Sequence, residues 1–368
     1  MDTSARRLGR VFDVVRWTDR FIRLHFWGFT FFLVLLGAVS VDGNPSLFTL
    51  GVIMGVGLLF HNFAYVFNDV VDLPIDRTQA ARQEDPLVRG VISPGQALAF
   101  ALLQIPAAFA LSVWGGAPVQ AHVVLAIAFV LMTIYDVWGK KCPWPPLTDC
   151  IQGLGWGALV LYGALVAGGT PSAMTWVVAA SAMSFILLIN GIHGGLRDLE
   201  NDLRQGSRTS AIFFGARPCA GGATVPVPLK VFALTVQVGM VALAFWPYLA
   251  ASAFYPAGRP EAGWIGLQIV LQTVNVILLL RVFRATSESW GRDFRIHIFL
   301  LLGGPVVLCG PLMHGLTAWL FPVLFFGPFL LVEVCGEIAD LVRHKLSSWV
   351  TAEAVAKNGP EEKPLSPT

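Results

Sequence analysis

Ten apolar runs follow one another through this 368-residue chain, near 24–42, 46–67, 96–114, 120–138, 150–168, 174–196, 229–252, 263–283, 296–318 and 319–341. Each reaches the length of about 18 residues that carries a helix across a bilayer. Hydrophobic residues make up 55% of the chain and charged residues only 13%, where a soluble domain has roughly 25% charged. An all-α polytopic membrane protein, a bundle of nine or ten transmembrane helices, is expected. The count turns on 296–341, where Gly303-Gly304-Pro305 and Gly310-Pro311 interrupt the apolar pattern. Arg343 and Lys345 beyond it favour ten.

The connections alternate in character. Segments 43–45, 115–119 and 169–173 are short and free of Lys and Arg, whereas 68–95, 139–149, 197–228 and 284–295 are longer and polar. Of the 25 Lys and Arg, only Arg259 falls in a connection of the first kind, so the positive-inside rule places the N-terminus and the long loops in the cytosol. Residues 1–23, with six arginines from Arg6 to Arg23, show no short apolar core with a small-residue cleavage site. They read as a cytosolic lead-in, 24–341 as the transmembrane domain, and 352–368, rich in Glu, Lys, Pro and Ser, as a disordered tail. The five cysteines have no CxxC spacing and read as packing residues. A net charge of +2 gives no argument for nucleic acid, and no such partner is expected.

Polar chemistry concentrates in two places. Asn68-Asp69-Val70-Val71-Asp72-Leu73-Pro74-Ile75-Asp76 follows directly on an apolar run. Asp69, Asp72 and Asp76 are spaced i, i+3, i+7, one face of a helix. Pro74 pushes its predecessor out of helical geometry, so Asp76 is expected just past a helix end or kink. Three carboxylates at a membrane repel one another and lose hydration unless a cation neutralises them. Their hard oxygens suit Mg²⁺. A second cluster, Arg197-Asp198-Leu199-Glu200-Asn201-Asp202, sets Asp198 and Asp202 at i, i+4. Asn68, Asp69, Asp72, Asp76, Asp198 and Asp202 are thus the candidate metal ligands, two acidic walls around one diphosphate in a central cavity open to the cytosol. The plain readings, a solvated loop and a charged helix end, do not explain why both abut apolar spans. The order helix, acidic cluster, basic residues, helix occurs at 46–95 and again at 174–228.

Other polar residues extend the two walls. His61 and Asn62 share the face of Asn68 and Asp69 seven residues on, and Asn190 and His193 run up from Arg197 into the membrane. A lone histidine in an apolar helix is more often packing; the stripe favours a cavity-lining role. Cations for a diphosphate are at hand in Arg77, Arg82, Arg89, Lys140, Lys141, Arg204 and Arg208, with Lys140 and Arg208 first among them. No GxxxxGK[ST] loop occurs, so nucleotide hydrolysis has no support. The 12 Trp and 26 Phe are mostly core and interfacial belts, although aromatic faces also stabilise carbocations.

These residues resemble the UbiA superfamily of intramembrane prenyltransferases. The family pattern NDxxDxxxD is matched at Asn68, Asp69, Asp72 and Asp76. The second, DxxxD with a following glycine, basic residue, hydroxyl pair and apolar-Gly ending, resembles Asp198, Asp202, Gly206, Arg208, Thr209, Ser210 and Ala211 to Gly215. Tyr135 and Lys140 resemble a further Tyr and Lys pair, and the likeness runs over roughly residues 16–340. It implies an all-α bundle, usually of nine helices, and two Mg²⁺ ions bridging a prenyl diphosphate. A departure lies at Glu84-Asp85-Pro86-Leu87, where the family usually has Arg-Pro-Leu; Arg82 or Arg89 is positioned to compensate. A tenth span would exceed the usual count.

The resemblance implies catalysis by Asp69, Asp72, Asp198, Asp202 and Lys140, with substrate contacts from Asn68, Arg77, Arg82, Tyr135, Asn190, His193 and Arg208. Mg²⁺ draws charge from the leaving diphosphate and the allylic C–O bond ionises. The expected reaction transfers the prenyl group to an aromatic or other lipid-soluble acceptor. The alternative is a terpene cyclase acting on farnesyl or geranylgeranyl diphosphate. A transporter ranks below both, because the extracytosolic connections carry almost no polar chemistry.

Overall fold

The computed structural model describes residues 14–220, 222–284 and 287–335, with 287–292 as backbone only. Helices α1 (Val14–Ile22) and α2 (Trp27–Val39) meet through a 3-10 turn at Leu24–Phe26, and the two arms are bent by 64°. α3 (Leu47–Asp76), α4 (Pro94–Trp114), α5 (Val119–Trp138), α6 (Pro145–Gly168) and α7 (Ala173–Leu188) follow. The α7 span continues through a π-helical segment, Ile189–Gly194, and one further turn, Gly195–Arg197. Short helices α8 (Leu199–Arg204) and α9 (Ser210–Phe213) lead to an antiparallel hairpin, β1 (Arg217–Cys219) with β2 (Gly222–Thr224). α10 (Val227–Leu249), α11 (Ala262–Val282), α12 (Ser287–Cys309) and α13 (Gly315–Cys335) complete the described chain.

Among the described residues nine helices are long and apolar enough to cross a membrane, ten if the bent α1–α2 pair counts as one span. The chain is an integral, multi-pass membrane protein, as its hydropathy requires. Two local expectations are corrected. The run expected at 24–42 is broken at its start, and the helix proper begins only at Trp27. α3 runs on through Pro74 to Asp76, where a break was expected. Only two helical residues follow the proline, so it forfeits one hydrogen bond without having to bend a long helix. Arg77 N and Thr78 N still bond to Leu73 O and Ile75 O, and Asp76 stays in register with Asp69 and Asp72. At the other end, α12 runs through Pro305 and stops at a 3-10 turn, Gly310–Leu312. The tail 352–368, with Arg343 and Lys345, lies outside the described residues.

Helix starts follow local rules. Ser93 and Gln96 form a capping box ahead of α4, with Pro94 in its first turn, and Ser172 with Thr175 does the same for α7. Ser172 Oγ also donates to Ser40 O, pinning the end of α2 to the start of α7. The interior is built from α2, α3, α6 and α7. Gly37 and Gly163 let α2 and α6 touch backbone to backbone: a Cβ on Gly37 would sit 2.0 Å from Val160 O, and one on Gly163 2.0 Å from Val34 O. Close approach at small residues is how helices gain contact in a lipid solvent, where apolar burial alone drives nothing. The outer faces carry exposed Val113, Trp114, Val123, Leu249 and Trp319, as a lipid-facing surface should.

Candidate active site

The first acidic motif closes α3. Asp69, Asp72 and Asp76 are buried at 8%, 8% and 5% exposure, and each finds a cation. Arg23 Nη2 lies 2.5 Å from Asp69 Oδ1. Arg82 is the hub: Nη2 donates to Asp69 at 2.7 Å and Asp76 at 2.9 Å, and Nη1 to Asp85 at 2.8 Å. Lys140 Nζ is 2.8 Å from Asp72 Oδ2. Burial works against the Arg82 charge, but Asp69, Asp76 and Asp85 outweigh it and raise its affinity for the proton. Asp85, the acid where the family usually has arginine, is pushed up by burial and held back by Arg82; Arg20 also reaches it, at 3.5 Å. Four carboxylates, Asp69, Asp72, Asp76 and Asp85, therefore face four cations, Arg20, Arg23, Arg82 and Lys140. Arg82 takes the compensating position, whereas Arg89 pairs with exposed Glu84.

The second motif starts where the π segment ends. Asp198 is held by Arg197 through two hydrogen bonds, 3.0 and 2.7 Å. Asp202 is 3% exposed and its Oδ1 has no partner; burial pushes its carboxyl up to about 6, opposed by Lys140. The two motifs meet at two points. Thr78 Oγ1 donates to Asn201 Oδ1 at 3.1 Å, and Arg208 N donates to Lys140 O at 2.9 Å. Lys140 thus touches the first wall with its ammonium and the second with its carbonyl.

The remaining sequence-selected residues divide. Asn68 Nδ2 donates to Asp136 Oδ1 at 3.1 Å and to Asp72 Oδ2 at 3.5 Å. Asn190 Nδ2 donates to Gln152 Oε1 and to Tyr135 OH. His193 is fully buried, 3.0 Å from His297. Arg77 and Arg208 are exposed, and only the backbone of Arg208 engages the site. His61 Nε2 donates to Ile22 O at 3.0 Å, which leaves Nδ1 to accept from the Thr30 hydroxyl at 2.8 Å. That histidine clamps the α1–α2 bend and so aims Arg23. Sequence reasoning missed Arg20, Arg23, Asp136 and Asp149. Asp136 could have been flagged as an acid inside an apolar run, but Asp149 falls in the connection 139–149 and only the early start of α6 places it in a span, and nothing local marks the arginines.

Below the acidic end, Phe29, Phe60, Tyr65, Phe129, Trp156 and Phe185 form one ring cluster, with centroids 5.1 Å apart for Phe29 and Trp156 and 5.4 Å for Phe60 and Trp156. The donor set at the acidic end is carboxylate and amide oxygen, the chemistry that suits a hard divalent cation. No group of three or more His, Cys, Asp or Glu is preassembled as a metal site among the described residues. The partnerless Asp202 oxygen nonetheless fits such an ion, and the paired carboxylates show where protein cations now supply the neutralising charge.

Fold and site together define a multi-pass membrane protein whose two acidic motifs are folded over one another at one end of a helical bundle. The model of the UbiA prenyltransferase family matches residues 27–268, more than half of the chain, and the chain belongs to that family: it is a membrane prenyltransferase. It is 30% identical over 222 residues to digeranylgeranylglyceryl phosphate synthase of Pyrococcus abyssi, covering 60% of this chain and 76% of that one. It is 26% identical over 216 residues to 4-hydroxybenzoate octaprenyltransferase of Herminiimonas arsenicoxydans, covering 57% and 69%. The UbiA homolog from Archaeoglobus fulgidus solved with GPP and Mg²⁺ shares the fold, with a TM-score of 0.53 at 17% identity over 80% of this chain and 99% of that one.

Proposed function

We propose that this chain transfers the prenyl group of a prenyl diphosphate to an aromatic or other lipid-soluble acceptor, with Mg²⁺, at the cytosolic face of its membrane. The observation that carries this reading is Lys140, which bridges the two acidic motifs by its ammonium on Asp72 and its carbonyl on Arg208 N. Two relatives named for prenyl transfer and a fold neighbour that binds GPP and Mg²⁺ support it. Asp69, Asp72, Asp198 and Asp202 would hold the metal, with Asn68 and Asp76 beside them; when bound, Mg²⁺ neutralises the charge that builds on the departing diphosphate.

The other steps belong to the chain. Lys140, Arg82 and Arg23 exchange carboxylate for phosphate oxygens, keeping charge-assisted hydrogen bonds in both states. The allylic C–O bond then breaks with its electron pair on the diphosphate. Phe60, Tyr65 and Trp156 offer ring faces to the cation, and the apolar wall keeps water away from it.

The test is detergent-purified protein with Mg²⁺ and prenyl diphosphates of several lengths, with and without 4-hydroxybenzoate or a glycerol phosphate ether lipid. Diphosphate release with a prenylated acceptor is expected. A cyclic hydrocarbon formed without acceptor would replace the reading with a cyclase, and no release under any condition would overturn it.

A further inference from the structure

One further buried carboxylate belongs to neither motif. Asp149 lies in the second turn of α6 and is 6% exposed. Its Oδ2 accepts from the Ser210 hydroxyl at 2.5 Å, and the Asn190 amide lies against it. Ser210 opens α9 and Asn190 sits in the π segment, so three elements converge on one carboxylate. No Lys, Arg or His neutralises it among the described residues. The titratable groups facing it are Tyr135 from α5 and Cys150 on its own helix; the π segment and α9 contribute only the neutral Asn190 and Ser210.

A purely structural tie would not need this residue. Ser210 requires only an acceptor, and an amide oxygen would serve without the cost of an unpaired charge at membrane depth. A carboxylate adds the capacity to take a proton. It is also linked toward the first motif: Asn190 bonds Tyr135 OH at 3.4 Å, and Tyr135 lies within electrostatic reach of Asp149, Asp136, Asp72 and Asp202.

We propose that Asp149 is the proton acceptor for the incoming nucleophile, and that Asp149, Asn190 and Ser210 form a subsite for acceptors whose reactive group is a hydroxyl. The proposal rests on the prenyl-transfer reading above. As the allylic C–O bond breaks onto the diphosphate, the acceptor hydroxyl gives its proton to Asp149. An alcohol oxygen then forms the new C–O bond. A phenol instead forms a C–C bond from its ring, and the displaced ring hydrogen returns to the oxygen. In both cases the net proton stays on Asp149 until the products leave and solvent takes it.

Two variants of the full chain test this. In binding experiments without prenyl diphosphate, the probes are 4-hydroxybenzoate against benzoate, and a glycerol phosphate ether lipid against its O-methylated form. Wild type is expected to prefer the hydroxyl member of one pair by about tenfold or more, which also tells a ring hydroxyl from a glycerol hydroxyl, and Asp149→Leu to erase the preference. Equal affinities within both pairs, or a preference that survives Asp149→Leu, would overturn the proposal. In turnover, the isostere Asp149→Asn is expected to slow transfer about 100-fold or more with prenyl diphosphate affinity unchanged. Undiminished transfer, or an equal loss of prenyl diphosphate affinity, would overturn it. A wild type that transfers no prenyl group sinks the transferase reading instead, and the hydroxyl preference still decides the subsite.

Discussion

Arg23 reaches the first acidic motif from a backbone held left-handed, at φ 51° and ψ 52°, with its guanidinium 2.5 Å from Asp69 and 5.1 Å from the Tyr65 ring centroid. It is the only non-glycine residue with positive φ among those described. Such a conformation costs roughly 1–2 kcal/mol and persists where the surroundings over-determine it. Here His61 holds Ile22 O, and Arg23 N donates to Asp19 O at 2.7 Å. The bend that breaks the first span is the device that delivers this arginine.

If Arg23 trades Asp69 for a phosphate oxygen, Arg23→Ala should raise the KM for prenyl diphosphate by about 10- to 100-fold, the worth of one hydrogen bond to a charged group. Steady-state kinetics with a fixed acceptor would show this; an unchanged KM would confine Arg23 to holding the fold.

Asp69→Ala and Asp198→Ala should each abolish diphosphate release while circular dichroism stays that of the wild type. EDTA should silence the wild type and added Mg²⁺ restore it. Activity surviving in both variants would remove the metal from the mechanism.

Arg82 serves three carboxylates, so Arg82→Gln leaves Asp69, Asp76 and Asp85 short of charge. Its side chain is 20% exposed, which reduces the cost of breaking a buried pair to about 1–3 kcal/mol. Arg82→Gln with Asp85→Asn should be less destabilised than Arg82→Gln alone, as read by thermal unfolding in detergent.

Gly37→Leu and Gly163→Leu should abolish recovery of monodisperse protein, because any Cβ there meets a carbonyl oxygen. Gly51→Ala and Gly239→Ala, where a Cβ meets nothing, should be tolerated. Size-exclusion profiles would separate the two pairs.

Much of this was readable from the chain. Most spans came within about five residues; the first is broken, α3 runs on to Asp76 beyond the expected 46–67, and the last two described helices begin at or before Asp293 and at Gly315 rather than at 296 and 319. The two acidic motifs were legible because their spacing lies within one or two helical turns. Pro74 misled, because the rule for proline concerns helix interiors and this one stands two residues from an end. The role of Asp85 was open until Arg82 was seen between it and Asp69. Ser210 and Thr209 looked like a hydroxyl pair; only the fold shows that Thr209 caps α9 while Ser210 turns to Asp149.

The sequence by itself determined where this protein crosses the membrane and which carboxylates it gathers, because hydropathy sums over neighbours and helical register is a local period. Two of their cations, Arg82 and Lys140, stood among its candidates, whereas the tertiary structure alone brought Arg20 and Arg23 to them. Arg23 lies 46 positions from Asp69, and Arg20 lies 65 from Asp85. Ion pairs across such distances depend on one bend and on the packing of α2 against α3, and no local pattern encodes them.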